Sequence, residues 1–282
     1  AVARDADRLR RAGIDRVGLR AGNGCGWAIA DRALAAARML SVPLPPAFTD
    51  AQVRHASDDA GLDALLTDEP ALAGRLAGGW RNAGTLPACG LALWQRDRGP
   101  APPLPAGTVK VTYTSGSTGT PKGVCLTAAT LDAVVASALA ATAPLGLARH
   151  LALLPLATLL ENVAGLDTSL AAGGLCLLPD AGRTGLTAGG VDARALVALL
   201  DAAAPDSLIL VPELLKALVL AAEGGWVPPA SLRFVAVGGA RVAPALLARA
   251  AELGLPVYEG YGLSECGSVV CLNTPAARRR GS

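Results

Sequence analysis

Residues 113–123 read Tyr-Thr-Ser-Gly-Ser-Thr-Gly-Thr-Pro-Lys-Gly, and they follow the β-prone run 108–112, Thr-Val-Lys-Val-Thr. The stretch holds three glycines, five Ser or Thr hydroxyls and one lysine. Flexible glycine backbone and hydroxyl donors beside a cation are typical of a loop that wraps an anion. The sequence therefore predicts a phosphate-binding loop between a strand over 108–114 and a second, short strand over 124–126.

The spacing of this loop is close to the P-loop pattern G-x-x-x-x-G-K-[ST] but departs from it at two positions. Lys122 follows Gly116 by six residues, as the pattern requires. Pro121 replaces the second glycine and has no N–H to donate, while Gly123 replaces the hydroxyl that binds Mg²⁺. An ordinary P-loop nucleotidase is therefore not expected. Lys122 and the hydroxyl donors are instead predicted to close over the outer phosphates of a nucleotide.

Composition indicates a globular chain with a substantial core. Its 282 residues are 52% apolar and 17% charged, and the formal net charge of +2 is too small to predict nucleic-acid binding. Six cysteines without a C-x-x-C pair, beside two histidines, predict no zinc site and are consistent with a reducing compartment. The charged amino end predicts no signal peptide, and the apolar run 133–148 is predicted to be too short to span a bilayer. We therefore expect a cytoplasmic protein without a transmembrane segment.

Short apolar runs alternate with longer stretches of helical period along most of the chain. This alternation predicts an α/β fold with parallel-rich sheets flanked by helices. The proline-rich segment 100–107 is interpreted as a linker between a first α/β subdomain, 1–99, and a second, 108–282. Ligands in such folds bind at the carboxyl ends of strands, where the loops gather.

Three later segments also follow predicted strands. Gly238-Gly239-Ala240 comes after the strand predicted over 233–237, and on its own it is better explained as a tight turn before a helix. Residues 258–265, Tyr-Glu-Gly-Tyr-Gly-Leu-Ser-Glu, follow a strand predicted at 257–258 and add an aromatic ring, a hydroxyl and two carboxylates. The alternative interpretation of residues 258–265 is an ordinary surface turn. Residues 153–162 form a strand end and a helix start, which as part of the core needs no function.

Two of these segments resemble signatures of one family. Residues 113–123 resemble the phosphate loop of the adenylate-forming superfamily, which includes acyl-CoA synthetases, peptide-synthetase adenylation domains and luciferases. Residues 261–265 are similar to its Tyr-Gly-x-Thr/Ser-Glu sequence. Because both patterns occur in the family's order, the resemblance implies its fold, the two α/β subdomains of an acyl-adenylate-synthetase large domain.

The resemblance also implies roles for individual residues. Tyr261 would offer its ring to adenine, Ser264 its hydroxyl to the α-phosphate, and Glu265 its carboxylate to Mg²⁺. Lys122, Thr118 and Glu265 would carry the catalysis. The residues that the resemblance assigns to nucleotide binding are Thr114, Ser115, Gly116, Ser117, Thr118, Gly119, Lys122, Gly238, Gly239, Ala240, Glu259, Gly260, Tyr261, Gly262 and Ser264.

The segment 155–162 is similar to the family's Pro-Leu-x-His stretch, but Thr158 stands where the family has His. A substrate-orienting role for that position is therefore not carried over to this chain. The run 17–68 and the phrase 259–265 are most similar to fatty-acid and related acyl-CoA synthetases.

The activity implied is ATP-dependent conversion of a carboxylic acid, most similar to a fatty acid, into acyl-AMP and then into a CoA thioester, with ATP, Mg²⁺ and CoA. A carboxylate attacking the α-phosphorus of ATP brings two anions together, so positioning and charge neutralisation carry the catalysis. The nucleophile is already ionised and needs no general base. Alternatives are an acyl-AMP ligase or adenylation domain that loads a carrier protein, or a nucleotide-binding remnant that is catalytically incomplete.

The resemblance implies a longer parent protein. Members of the family have about twice this length in two domains, beyond the usual size of one core. No Thr-Gly-Asp, hinge or carboxy-terminal domain with its lysine follows Glu265 in this sequence. We therefore expect an amino-terminal portion whose activity in the full reaction is weak or absent.

Overall fold

The structure is a computed structural model that describes residues 1–97, 101–114, 121–187 and 190–279. The chain divides into two compact units. Unit 1 comprises Ala1–Leu131 and Leu156–Thr158, and unit 2 comprises Asp132–Pro155 and Leu159–Ser282. Each unit has its own sheet, helices and apolar core.

Unit 1 is built on a seven-stranded sheet in the order β4-β5-β3-β1-β2-β6-β7. Its centre is parallel, whereas β4, β5 and β7 join through antiparallel pairs. Strands that are buried on both faces, such as β3 with the sequence Ala-Leu-Leu-Thr, read as continuous apolar runs. The elements are α1 (Val2–Arg11), β1 (Arg16–Arg20), α2 (Cys25–Ala37), β2 (Leu40–Pro43), α3 (Asp50–Asp59), β3 (Ala64–Thr67), α4 (Ala71–Arg75), β4 (Arg81–Thr85), β5 (Ala92–Gln95), β6 (Thr108–Thr114) and β7 (Lys122–Thr127). The next helix, α5 (Ala128–Thr142), begins in unit 1, and most of its residues belong to unit 2.

Unit 2 contains a six-stranded sheet in the order β15-β14-β13-β12-β8-β9, parallel except for the β14–β15 pair. A π-helix, Leu160–Asp167, follows β8 and leads into α6. The elements are β8 (Arg149–Leu151), α6 (Thr168–Ala171), β9 (Leu175–Leu177), β10 (Leu186–Thr187), β11 (Gly190–Val191), α7 (Ala193–Ala203), β12 (Ser207–Leu210), α8 (Pro212–Glu223), β13 (Phe234–Val237), α9 (Pro244–Glu252), β14 (Val257–Leu263) and β15 (Ser268–Leu272).

Local sequence signals explain where several helices begin. Thr49 and Gln52 form a capping box at the start of α3, each side chain satisfying the other's backbone N–H. The Asp192 carboxylate accepts hydrogen bonds from the first N–H groups of α7. Pro212 and Pro244 occupy the first turns of α8 and α9, where a missing N–H costs nothing.

A buried ion pair joins α2 to β6 within unit 1. Lys110 Nζ lies 3.1 Å from Asp31 Oδ1, and their side chains are 5% and 1% exposed. Arg32 donates to the same carboxylate at 2.6 Å, and Ser41 Oγ lies 3.2 Å from it. Burial by itself would raise the pKa of Asp31, but the charges of Lys110 and Arg32 outweigh burial and hold it well below its ordinary value.

The two-sheet α/β architecture is confirmed, but the strand pairing moves the boundary between its parts. The sequence-based division placed 108–282 in the second subdomain and 100–107 between subdomains. In the structure Ser41 of β2 pairs with Lys110 of β6, so β6 and β7 belong to the sheet of unit 1. Residues 101–107 therefore connect strands of one sheet. Prolines mark the end of a strand, but they do not reveal which sheet the next strand joins.

Other boundaries also differ from the sequence prediction. The strand end and helix start predicted within 153–162 are displaced: β8 ends at Leu151, and the helix is a π-helix, Leu160–Asp167, followed by α6. The strand predicted at 257–258 continues to Leu263 as β14. Its partner β15 was not predicted, and the extension depends on that pairing.

One helical stretch of the described chain, Ala128–Leu145, is long and apolar enough to cross a membrane by length and composition alone. Its mean hydropathy is 1.5, and 6% of it is buried. It consists of α5 and the 3₁₀ turn Ala143–Leu145, and it contains both Asp132 and Pro144. A single helix of this kind is weak evidence for a membrane span. The expectation that no segment spans a membrane stays a prediction.

Candidate functional site

The predicted phosphate loop is carried by the β6–β7 hairpin of unit 1. The last pair of its antiparallel stem places Thr114 opposite Lys122. Thr114 is half-buried, and the Lys122 side chain is exposed. Lys122 therefore lies at the end of the stem where the predicted loop begins, and its exposed side chain is accessible to an anion. The predicted ligands Ser115, Gly116, Ser117, Thr118 and Gly119 lie outside the described residues.

Helix α3 contacts both strands of this stem. The Tyr113 hydroxyl donates to Asp59 Oδ2 at 2.7 Å, and His55 Nε2 lies 2.9 Å from the carbonyl oxygen of Pro121. The sequence analysis did not single out either α3 residue. A local signal existed in the capping box at Thr49, which begins a helix that carries both residues on one face at i, i+4 spacing.

In unit 2, the predicted segment Gly238-Gly239-Ala240 directly follows β13. Gly239 has a φ of +78°, a conformation that favours glycine, and its backbone is exposed. Gly238 is buried, and a Cβ added there would lie 2.9 Å from the carbonyl oxygen of Gly260. The parallel β13–β14 pair therefore brings this segment against the second predicted segment, and glycine at 238 permits that close approach.

The second segment is a strand rather than the predicted post-strand turn. Residues 259–263 lie in β14, which pairs with β15 and shifts register between Tyr261 and Gly262. A Cβ at Gly262 would overlap the carbonyl oxygen of Ser268, so the strands approach this closely only with glycine there. The correction concerns Glu259, Gly260, Tyr261 and Gly262. Tyr261 is 55% exposed, which leaves its ring accessible to a planar ligand.

Ser264 and Glu265 lie just beyond β14, in the short 3₁₀ helix Ser264–Cys266. Ser264 is half-buried and Glu265 is exposed. Among the described residues, no group of three or more His, Cys, Asp or Glu side chains could hold a metal ion by itself. A single exposed carboxylate nevertheless fits Mg²⁺, which is commonly held by one or two carboxylates together with substrate phosphates and waters.

The segment around Thr158 is anchored by two side chains. Asn23 Oδ1 accepts a hydrogen bond from the Leu156 N–H at 2.8 Å in unit 1. Glu161 Oε2 accepts one from the Leu154 N–H at 3.0 Å in unit 2. Thr158, which replaces the family's histidine, is half-buried. These contacts show how the segment is held but give Thr158 no role toward a substrate.

Glu161 belongs to a buried polar cluster in unit 2 that the sequence analysis missed. Its Oε1 lies 2.8 Å from His150 Nε2, and His150 Nδ1 lies 3.1 Å from Ser207 Oγ. A serine, a histidine and a glutamate joined by hydrogen bonds suggest a catalytic triad. In a catalytic triad, however, Nε2 of the histidine faces the serine, whereas here Nδ1 of His150 faces Ser207. All three side chains are also buried. The cluster therefore stabilises the fold rather than presenting a nucleophile.

A sequence model of AMP-binding enzymes matches residues 1–282. The chain belongs to the AMP-binding enzyme family. This observation confirms the superfamily that the sequence motifs indicated.

Solved structures share the fold of this AMP-binding enzyme at low sequence identity. A long-chain-fatty-acid-CoA ligase from Archaeoglobus fulgidus is 20% identical, with a TM-score of 0.76 over 98% of this chain and 58% of its own. O-succinylbenzoate coenzyme A synthetase from Bacillus subtilis in complex with AMP is 22% identical, with a TM-score of 0.72 over 98% and 68%. An anthranilate CoA ligase in complex with anthranoyl-AMP is 17% identical, with a TM-score of 0.80 over 100% and 57%.

These similarities establish the fold of the chain. The matched share of each solved structure shows how much of that structure the chain spans. The first two structures found are matched over 58% and 55% of their lengths, so the chain spans little more than half of each. The carboxylic acid differs among these neighbours, since their names specify long-chain fatty acid, o-succinylbenzoate and anthranilate.

Replacing Gly238 with alanine is expected to lower the free energy of unfolding by about 1–3 kcal/mol, because the new Cβ would push β14 away from β13. Gly182→Ala is the matched control, since a Cβ there meets nothing within 4 Å. Denaturant titration of both variants measures the difference. Equal stability of the two variants would show that the β13–β14 contact is not tight.

Proposed function

We propose that this chain carries the ATP-binding part of an enzyme that activates a carboxylic acid as acyl-AMP and then transfers the acyl group to CoA. The observation that supports this most directly is the pairing of Thr114 with Lys122 at the end of the β6–β7 stem where the predicted phosphate loop begins. It presents an exposed ammonium group at the end of a segment rich in hydroxyl groups. Membership in the AMP-binding enzyme family supports a nucleotide as the anion.

The residues fit a reaction between two anions. Lys122 would neutralise charge on the outer phosphates, and Ser264 would donate a hydrogen bond to the α-phosphate. Tyr261 would stack on adenine, and the backbone at Gly239 leaves room for a flat group. Glu265 would hold Mg²⁺, which when bound neutralises phosphate charge. The attacking carboxylate is ionised at neutral pH, so the chain needs to supply orientation rather than a base.

A fatty acid is the proposed substrate class, and free CoA is the proposed acceptor. The similarity of 17–68 and 259–265 to fatty-acid and related acyl-CoA synthetases supports the acid. Aryl acids are the main rivals, because neighbours with the same fold act on o-succinylbenzoate and anthranilate by name. A carrier-protein thiol is the rival acceptor, and thioester assays with free CoA and with a carrier protein separate the two. The proposed location is the cytoplasm.

Acid-dependent release of pyrophosphate by the full-length enzyme tests the activity. Fatty and aryl acids are supplied in turn with ATP, and at least one is expected to give release. Lys122→Ala is expected to lower kcat/KM for ATP by about 10- to 100-fold, since a charge-assisted contact to phosphate is lost. Lys216→Ala, which removes an exposed lysine of α8, is the control and is expected to change little. No release with any acid would contradict the proposal.

A second candidate is a nucleotide-binding protein that no longer completes the reaction. The presence of Thr158 in place of the family's histidine favours it. Calorimetric titration with a non-hydrolysable acyl-AMP analogue distinguishes the candidates when it is run beside the pyrophosphate assay. Binding without turnover would support the second candidate, and absence of binding would contradict both.

A further inference from the structure

Helix α3 contacts the β6–β7 stem at the end where the predicted loop begins, through β6 and the residue that precedes β7. The Tyr113 hydroxyl donates to Asp59 Oδ2 at 2.7 Å and lies 3.3 Å from the carbonyl oxygen of Ala56. On the other strand, the carbonyl oxygen of Pro121 lies 2.9 Å from His55 Nε2. One helix thus contacts the residue before Thr114 and the residue before Lys122.

The chemistry of the partners fixes the direction of both hydrogen bonds. A carbonyl oxygen only accepts, so His55 must carry a proton on Nε2, as it does in one neutral tautomer and in the imidazolium form. Burial raises the pKa of the Tyr113 hydroxyl, and the hydrogen bond to Asp59 raises it further. Tyr113 therefore keeps its proton and donates to the carboxylate. The His55 and Tyr113 rings also meet edge to face, with centroids 6.2 Å apart.

Helix α3 is itself fixed in unit 1. Its first turn is closed by the Thr49–Gln52 capping box, and Val53 and Ala56 are fully buried in the core. His55 and Asp59 are one turn apart and so project from one face of the helix. A rigid, packed helix therefore sets the position of both strand ends.

We propose that His55 and Asp59 are positioning residues for nucleotide binding, acting through the Pro121 carbonyl and the Tyr113 hydroxyl to hold Thr114 and Lys122 in place. The proposal rests on the proposed function, in which Lys122 contacts the outer phosphates of ATP. The side chain of Lys122 is long and flexible, so the position of the backbone at Lys122 determines where its ammonium group can reach. Fixing that backbone before the nucleotide arrives removes an ordering cost from binding.

The test measures the Kd for ATP of the full-length enzyme by calorimetry, together with its thermal unfolding. Tyr113→Phe and Asp59→Ala each remove the hydroxyl–carboxylate contact, and His55→Phe removes the donor to Pro121 while keeping a ring. Each variant is expected to weaken ATP binding about tenfold, the equivalent of one hydrogen bond. His55→Gln restores an N–H donor and is expected to bind ATP more tightly than His55→Phe.

The matched control is Asp58→Ala, which removes the neighbouring carboxylate on α3. The Asp58 carboxylate pairs with Arg96 at 2.8 Å. Its Kd for ATP is expected to equal that of the wild type. If the α3 contacts served stability alone, the midpoint of unfolding would fall in the stem variants while the Kd stayed unchanged, and that result would overturn the proposal.

The design separates failure of the inference from failure of the proposed function. Pyrophosphate release tests the reaction, whereas the Kd for ATP tests the positioning. An enzyme that binds ATP, shows the tenfold loss and releases no pyrophosphate would contradict only the reaction. An enzyme that releases pyrophosphate while all variants bind ATP equally would contradict only the positioning role. Absence of ATP binding in the wild type would overturn both.

Discussion

Replacing Gly165 with alanine is expected to lower the free energy of unfolding by about 3–5 kcal/mol. Gly165 lies in the π-helix, and a Cβ there would overlap Oε1 of Glu161 and lie 2.8 Å from Nε2 of His150. Glu161 is fully buried and bonded to both His150 and the Leu154 N–H, so it cannot move aside without breaking a buried contact. The added methyl group therefore separates a carboxylate from its partner in the core.

Gly74→Ala is the matched control for this prediction. Gly74 is also helical, but a Cβ there meets nothing within 4 Å. Alanine at that position should leave stability unchanged or raise it by about 0.4–1 kcal/mol, because it restricts the unfolded chain. Denaturant titrations of the two variants give the comparison. If Gly165→Ala were as stable as Gly74→Ala, the packing of the Glu161 cluster would be looser than described.

The second large effect is expected at the buried ion pair of unit 1. Asp31→Ala removes the carboxylate that Lys110 and Arg32 share, and it should lower the free energy of unfolding by about 3–5 kcal/mol, since a buried ammonium loses its counter-charge. Replacing both members, as in Asp31→Leu with Lys110→Met, should recover most of that loss because neither buried charge of the pair remains and the Arg32 side chain is partly exposed to solvent. Chemical denaturation of the single and double variants measures both effects.

The control for this pair is Asp97→Ala at the exposed Arg81–Asp97 pair, where no measurable change is expected because solvent screens the charges.

The buried Asp31–Lys110 pair also predicts that stability depends on pH. The pKa of Asp31 is held below its ordinary value of 3.8, so its stabilisation is complete above about pH 4 and is lost as the pH falls toward the lowered value. In Asp31→Ala, the free energy of unfolding should therefore fall less steeply than in the wild type as the pH is lowered below about 4. The same dependence on pH in the variant and the wild type would contradict the stabilising role given to the Asp31 carboxylate.

Local patterns in the sequence predicted much of the fold but little of its pairing. Alternation of apolar runs and helical periods identified most strands and helices, since both depend on neighbouring residues. That β6 lies beside β2 was not predictable in this way, because the pairing of Ser41 with Lys110 joins distant parts of the chain. Helix α3 was missed because its sequence, DAQVRHASDD, has only a weak apolar stripe.

Contacts between distant parts of the chain were also missed at the candidate site. Thr114 and Lys122 were found because the loop pattern is contiguous in sequence. His55 and Asp59 act on that loop from another element, and only the folded chain brings them to it. The strand character of 259–263 was missed because it depends on β15, which the sequence analysis did not predict. The roles assigned to the site residues stay predictions.

The different surroundings of the three lysines have a practical consequence for covalent labelling. Lys110 is 4% exposed and paired, whereas Lys122 and Lys216 are exposed. A reagent that acylates side-chain amines should therefore modify Lys122 and Lys216 and spare Lys110, and Lys122 lies at the end of the β6–β7 stem where the predicted phosphate loop begins. Mass spectrometry of the labelled protein with and without nucleotide would then report occupancy at Lys122, with Lys216 as an internal standard in the same spectrum.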